Sequence, residues 1–451
     1  MAPTRRPPSP PPQPSSGGSA RLPNFSHGNP AAFATLVAVN KFFLAGLIVF
    51  ASLGCSSAPQ EAAPAAEEPQ AAAKSERTYF QPAAFSDALP FSPGVMVDGT
   101  LWIAGMVGSD PQTGEKPAAI ADQTTQAMEN IGLVLTEAGL GFSNLVSCHV
   151  QLTDMGNYAA MNEVYGSFFE EGKYPARTTL EMPALVGGAE LEISCIAHAD
   201  AEQISYVAPD PDVIPPAMGP YSSAVQGGKL LYLSGQGGRD PQTGETPQDL
   251  AEQTRQTMET IGHILSAANL DFNNALFTNV YYLGPENRAT VDAAYMEDFQ
   301  AGAAPSRGAF CLSKLPGDIS TEITVVASDD DYITRLHPTN AEPGETESPA
   351  GLSQGILYLS AASAPDAGAS IEDQLRAIFA TQKERLALAD MDLGHVVNAN
   401  VYLADVADFD AMNAVFREFF PENPPARTTV GVREEGDRSG VKVEIALIAA
   451  Q

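Results

Sequence analysis

The sequence predicts an α+β protein built from three tandem copies of one domain, and three observations carry that prediction. An arginine followed by a glutamate inside an apolar strand recurs three times. The copies read Pro-Ala-Arg-Thr-Thr (175–179) with Leu-Glu-Ile (191–193), Pro-Ser-Arg-Gly-Ala (305–309) with Thr-Glu-Ile (321–323), and Pro-Ala-Arg-Thr-Thr (425–429) with Val-Glu-Ile (443–445). Between the first two copies the register has no gap, since Arg177 to Arg307 and Glu192 to Glu322 are both 130 positions. A period that long describes whole domains, not solenoid repeats, and 451 residues leave room for three domains of roughly 150 residues each.

The elements of a copy follow in a fixed order. Gly-Gly-Lys-Leu-Leu-Tyr-Leu-Ser-Gly (227–235) reads as a strand after a turn. Asp-Pro-Gln-Thr-Gly-Glu is a turn found unchanged at 110–115 and 240–245. A helix comes next, with apolar residues at helical spacing: Ala127, Ile131, Val134, Leu135 and Ala138; Thr257, Ile261, Ile264, Leu265 and Ala268; Leu375, Ile378, Phe379, Leu386 and Ala389. A strand follows at 145–152, 275–283 and 396–403, then a second helix carrying Met-Asn-Glu-Val-Tyr (161–165), Val-Asp-Ala-Ala-Tyr (291–295) or Met-Asn-Ala-Val-Phe (412–416). The arginine segment and the glutamate strand close each unit. The expected architecture is a sheet of about four or more strands with two helices on one face.

Composition bounds the partners. With 24 Lys+Arg against 55 Asp+Glu, the net charge is −31. Such a surface repels phosphate backbones, which proteins hold chiefly through Lys and Arg, so no nucleic-acid partner is expected. Residues 42–54 form an apolar run too short to span a bilayer, which takes about 20 apolar residues, but long enough for a signal-peptide core. Ser-Leu-Gly-Cys (52–55) resembles a lipobox, and an Ala/Pro/Glu tether follows that cannot bury a core. The expectation is an exported, envelope-anchored lipoprotein whose only membrane contact is lipid on Cys55. A cleaved signal without lipid is the alternative, and the true start is expected near Val39. The expected boundaries are 1–54 signal region, 55–76 tether, and domains at 77–201, 202–329 and 330–451. Cys148 and Cys195 sit in strand-like runs and could pair in an exported protein; buried free thiols are the favoured reading for these and for Cys311. No cysteine or histidine shows metal-ligand spacing, so His149, His198 and His263 are read as structural and no metal is expected.

Together, Ala-Met-Gly-Pro-Tyr-Ser (217–222), Leu-Ser-Gly-Gln (233–236), Met-Asn-Glu-Val-Tyr, Pro-Ala-Arg-Thr-Thr and Glu-Ile resemble the RidA (YjgF/YER057c/UK114, L-PSP endoribonuclease) family, in three copies from about residue 77 to 451. The resemblance implies a chorismate-mutase-like fold and a homotrimer fused into one pseudo-threefold monomer, with ligand clefts between repeats. It implies hydrolysis of reactive 2-enamine and 2-imine acids to 2-keto acids and ammonia, with no cofactor because an imine carbon is already electrophilic. By the same resemblance Arg177, Arg307 and Arg427 grip a substrate carboxylate, as a planar fork of donors can. Glu192, Glu322 and Glu444 act on the attacking water. Tyr221 lines the cleft, Ser234 and Ser360 contact ligand, and Asn162 and Asn413 match a second-helix asparagine.

The copies depart from the pattern unequally. Phe91 stands for the tyrosine and Ala104 for the serine in the first, Asp292 for the asparagine in the second, and Glu347 for the tyrosine with Ala361-Ala362 for Gly-Gln in the third. Without the resemblance, each Arg–Glu pair reads equally well as a buried ion pair tying strands together. A non-catalytic envelope-anchored binding protein for small carboxylates or a protein partner is the alternative function, and a ribonuclease the weakest reading.

Overall fold

A computed structural model describes residues 76–300, 302–330, 333–338, 346–432 and 439–451. The signal region, Cys55 and residues 55–75 of the tether lie outside them.

Each repeat folds into one mixed sheet with two helices on one face. Across the first sheet the order is Thr78–Phe80, Gly94–Val97, Thr100–Val107, Leu191–His198, Leu145–Leu152, Ala176–Glu181. Neighbours are antiparallel except the last pair, which is parallel. A parallel pair needs a crossover, and helix α2 (Tyr158–Gly166) supplies it, packed beside α1 (Ile120–Glu137). The second repeat has α3 (Leu250–Ala267) and α4 (Arg288–Tyr295), the third α5 (Ile371–Ala387) and α6 (Phe409–Phe419). Their sheets keep the order, ending in Thr321–Ser328, Ala275–Leu283, Ser306–Leu312 and in Val443–Ala450, Val396–Leu403, Ala426–Gly431. The glutamate therefore lies mid-sheet and the arginine on the edge strand.

The first helix of each repeat buries the predicted stripe, including Ile131, Ile261 and Ile378. Ala138 and Ala268 cap helix ends and Ala389 lies just past one, so the predicted stripes overshoot there.

Three equivalent latches join the repeats into a closed ring. The Ser222 backbone donates to Pro175 O (3.3 Å) and its hydroxyl to Tyr174 O (2.7 Å). Ser348 reaches Pro305 O (3.1 Å) and Ala304 O (2.6 Å), and Ser92 reaches Pro425 O (3.1 Å) and Pro424 O (2.6 Å). The ring thus runs from repeat 1 to 2, 2 to 3, and 3 back to 1, and the Arg77 guanidinium also donates to the Ala450 carbonyl. The helix-free sheet faces turn inward around a cavity of about 90 Å³, lined by Trp102, His149, Tyr232, Asn279, Tyr358 and Asn400 among others. Burial pushes the His149 imidazole down to about 4, so it is neutral there.

Cys148 and Cys195 form a disulfide, which corrects the expectation of free thiols. They lie directly opposite in adjacent antiparallel strands, a proximity that strand-like sequence alone does not specify. Cys311 is buried and outside any disulfide. The bond closes a loop of 47 positions, for which chain entropy gives roughly 4 kcal/mol. Reduction is expected to lower the melting temperature, and alkylation after denaturation should label two further cysteines when reductant is present.

Candidate functional site

Each seam places the arginine strand of one repeat against the bulge of the next, and at two seams a glutamate joins the arginine: Glu322 with Arg177 and Glu192 with Arg427. The bulges are local register breaks, between Ile103 and Met106 in the first sheet and between Leu359 and Ala362 in the third; in the second the strand stops at Leu233 and resumes at Gln236. A bulge re-aims the side chains it carries.

In the cleft between repeats 1 and 2, Arg177 is 3% exposed. Its guanidinium carbon lies 5.7, 5.0 and 5.3 Å from the ring centres of Tyr158, Tyr165 and Tyr221. Three aromatic rings surround the cation, each within cation–π distance. Nη2 donates to the Tyr158 hydroxyl (3.3 Å), while Nε and Nη1 are buried with no protein acceptor. No carboxylate reaches salt-bridge distance of Arg177 among the described residues. Glu322 lines the same cleft, 4% exposed, and burial raises its carboxyl to about 8 against the opposing pull of Arg177. The Tyr221 oxygen accepts from Met218 N–H (2.9 Å). Burial pushes its phenol up, so it keeps a proton to donate. The cavity measures about 70 Å³ and is also walled by Thr179, Met218, Arg239 and Ile319.

Two glycines make room for this arrangement. A Cβ on Gly219 would lie 2.8 Å from Arg177 Nη2, and one on Gly235 would lie 1.8 Å from Glu322 Oε1. The Asn162 amide packs on Gly219, its Oδ1 buried and unpartnered, so it backs the arginine.

The serines tie neighbouring repeats together. Ser234 and Ser360 are fully buried. Each hydroxyl accepts the arginine-strand N–H of the preceding repeat (Arg177 or Arg307, 2.8 Å) and donates to Ser222 O (2.6 Å) or Ser348 O (2.7 Å). With the proton committed to backbone, they pin the arginine strand. Ala104 removes that pin at the third seam.

Between repeats 2 and 3, charge replaces the tyrosine cage. Arg307 forms an ion pair with Asp292, which also meets Arg288 Nε at 3.5 Å. Glu347 occupies the Tyr221 place; burial pushes its carboxyl up, opposed by Arg307, Arg385 and Arg288. Tyr295 alone of the cage remains, 4.6 Å from the Arg307 carbon. Ala361 stands where Gly105 and Gly235 leave room for a glutamate, so Glu444 cannot sit as Glu322 does. A carboxylate built into the fold already neutralises this arginine. Asp292→Asn is expected to free Arg307 and add a second, weaker keto-acid site, raising the calorimetric stoichiometry.

Between repeats 3 and 1 the cage is apolar. Arg427 lies 5.1, 5.6 and 4.7 Å from the Phe91, Phe409 and Phe416 ring centres, and Nη2 donates to Asn413 Oδ1 (2.7 Å). Burial pushes the guanidinium down to about 9, with Glu192 opposing, leaving it protonated at neutral pH. Burial raises Glu192 to about 8, opposed first by a hydrogen bond from the Thr429 backbone and then by Arg427. Cation and carboxyl persist; the phenol donors are gone.

Sequence reasoning missed the cage. Tyr165, Tyr295 and Phe416 end the recurring second-helix motif, a signal that was present. Tyr158 and Phe409 are both aromatic, but Arg288 takes their place in the second repeat, so no threefold signal marked that position. Among the described residues no group of three His, Cys, Asp or Glu side chains could hold a metal ion, and no helix is long and apolar enough to cross a membrane.

Comparisons with known proteins identify the family. The family model described as Endoribonuclease L-PSP matches residues 82–199, 212–329 and 348–451. A mouse protein named 2-iminobutanoate/2-iminopropanoate deaminase is 39% identical over 109 residues, 24% of this chain and 80% of its own. Protein DfrA of Myxococcus xanthus is 40% identical over 111 residues, 24% of this chain and 84% of its own. The crystal structure of E. coli TdcF with bound serine is 31% identical, matching 27% of this chain and 98% of that one, with a TM-score of 0.26. One repeat thus spans most of a relative, and three repeats each match the same model: the chain belongs to the Endoribonuclease L-PSP (RidA) family, three domains in one polypeptide.

Proposed function

We propose that the chain is a RidA-type 2-enamine/2-imine deaminase whose working site is the cleft between repeats 1 and 2. The observation that carries this reading is Arg177, buried with two unpartnered nitrogens beside a carboxyl raised to about 8. Leaving buried donors unpaired is costly, and a substrate carboxylate would satisfy them. The name of the mouse relative supports the reaction.

The residues suggest an order of proton transfers. At neutral pH Glu322, with its carboxyl raised to about 8 by burial, is mostly the carboxylic acid. It donates its proton to the imine nitrogen and makes C2 more electrophilic. As the carboxylate it then accepts a proton from the water attacking C2 and returns it to the nitrogen of the carbinolamine; as the C–N bond breaks it takes up the hydroxyl proton, which leaves a C=O group and restores the acid form. The products are a 2-keto acid and ammonia. Tyr221 donates a hydrogen bond to the bound acid. The kcat/KM is expected to fall as pH rises through about 8, where the acid form is lost.

An amino-acid oxidase generating a 2-imino acid in the presence of semicarbazide tests the reading. The protein should speed imine loss and reduce trapped product. Keto-acid stabilisation without turnover would favour a binding protein, and no effect in either assay would reject the site. RNA binding at low salt would support the ribonuclease reading, which the −31 charge disfavours. Export and lipid attachment at Cys55 remain part of the proposal, and intact mass of the expressed protein decides them.

A further inference from the structure

We infer that the cleft between repeats 1 and 2 selects imino acids bearing a second anionic group, with Arg239 as the specificity-determining residue. The inference rests on the imine-deaminase reading for its chemistry and on separate residues for its selectivity.

Arg177 and Arg239 are both part of the same cavity wall. Arg177 is the inner cation, boxed by tyrosines. Arg239 stands toward the mouth: its Nη2 lies 3.1 Å from where a Gly317 Cβ would be, beside Met218. Its side chain is 25% exposed, yet its Nε is buried and has no acceptor. Nη2 meets Asp318 Oδ1 at 3.3 Å, but that carboxylate is 71% exposed and shared with the Thr246 hydroxyl. The pair is therefore screened and weak, and Nε stays unsatisfied.

A monocarboxylate would leave that second donor orphaned. A substrate with one carboxylate on Arg177 and its reacting carbon near Glu322 carries its side chain toward the mouth, past Met218 and Ile319. A terminal carboxylate there would pair with Arg239. The corresponding places in the other repeats hold Ser109 and Pro365. The extra cation thus occurs at the one seam, among the described residues, whose arginine keeps a tyrosine cage and no ion pair. On a chain of charge −31, two guanidinium groups facing one cavity also give dianions a local attraction that the bulk surface denies them.

The test compares imines made in situ from D-glutamate by D-aspartate oxidase and from D-alanine by D-amino-acid oxidase, with the full chain and Arg239→Gln. The wild type should favour the glutamate-derived imine. In the variant the ratio of the two kcat/KM values should fall roughly tenfold, chiefly through KM, as expected for a lost charge-assisted hydrogen bond. A merely structural defect would depress both substrates alike and leave the ratio unchanged, which overturns the inference. A binding arm keeps the question separate from turnover. 2-Oxoglutarate should raise the melting temperature of the wild type more than 2-oxobutyrate does, and Arg239→Gln should abolish the difference. Should no imine be hydrolysed, the deaminase reading fails and this thermal comparison decides the selectivity alone; equal shifts would sink it.

Discussion

Arg177→Gln is expected to lower kcat/KM for imine hydrolysis by roughly two to three orders of magnitude. Glutamine keeps polar atoms but loses the charge and the planar fork that suits a carboxylate. Charge-assisted hydrogen bonds to a buried anion are each worth about 1.5–3 kcal/mol, and more than one donor is lost. The equivalent changes Arg307→Gln and Arg427→Gln should cost far less. Arg307 is already paired with Asp292, and Arg427 is held by Asn413 among phenylalanines. Steady-state kinetics on the three single variants settles this. Equal losses in all three would show three working clefts, and no loss at Arg177 would remove the proposed site.

Glu322→Gln should move activity and stability in opposite directions. Without a group that can both donate and accept a proton, the rate is expected to fall about 10²–10⁴-fold. Stability depends on which form of the carboxyl the fold prefers. Its pKa is raised from 4.5 to about 8 in the folded protein, so its contribution is fully present below about 4.5 and is lost as pH rises through about 8. A tenfold change in an acid's ionisation constant corresponds to about 1.4 kcal/mol, so ionising this group costs the folded state several kcal/mol at most. Glutamine cannot ionise. The variant should therefore match wild type near pH 4 and melt higher at pH 9, and a lower melting temperature at pH 9 would show that Glu322 is instead a stabilising ion-pair partner of Arg177.

The fold was legible because its signals are local and repeated. Helical spacing such as Ile131–Val134–Leu135, turn residues at 110–115 and 240–245, and the apolar strand around each glutamate all follow from backbone geometry. Arg177, Glu322 and Tyr221 were legible through the resemblance, and the structure brings them together across one seam. What was not legible depends on three-dimensional neighbours. Which glutamate meets which arginine is set by the latches of Ser92, Ser222 and Ser348, and no spacing in the chain encodes it. The hydrogen bonds that tie Ser234 and Ser360 to the backbone of the neighbouring repeat form only across a seam. The Cys148–Cys195 bond depends on strand register. Arg239, just before the turn at 240–245, drew no reading from the sequence, because only the folded chain puts it on the same cavity wall as Arg177.

The contact between Arg77 and the Ala450 carbonyl brings the start of the first repeat to the end of the third. The order of the repeats along the gene is therefore one of several that could yield the same object. A permuted gene that begins near residue 202, runs through 451, and re-enters at 77 across a short engineered joint would keep every seam, the Arg177 pocket included. That pocket would then be stitched from the two far ends of the chain.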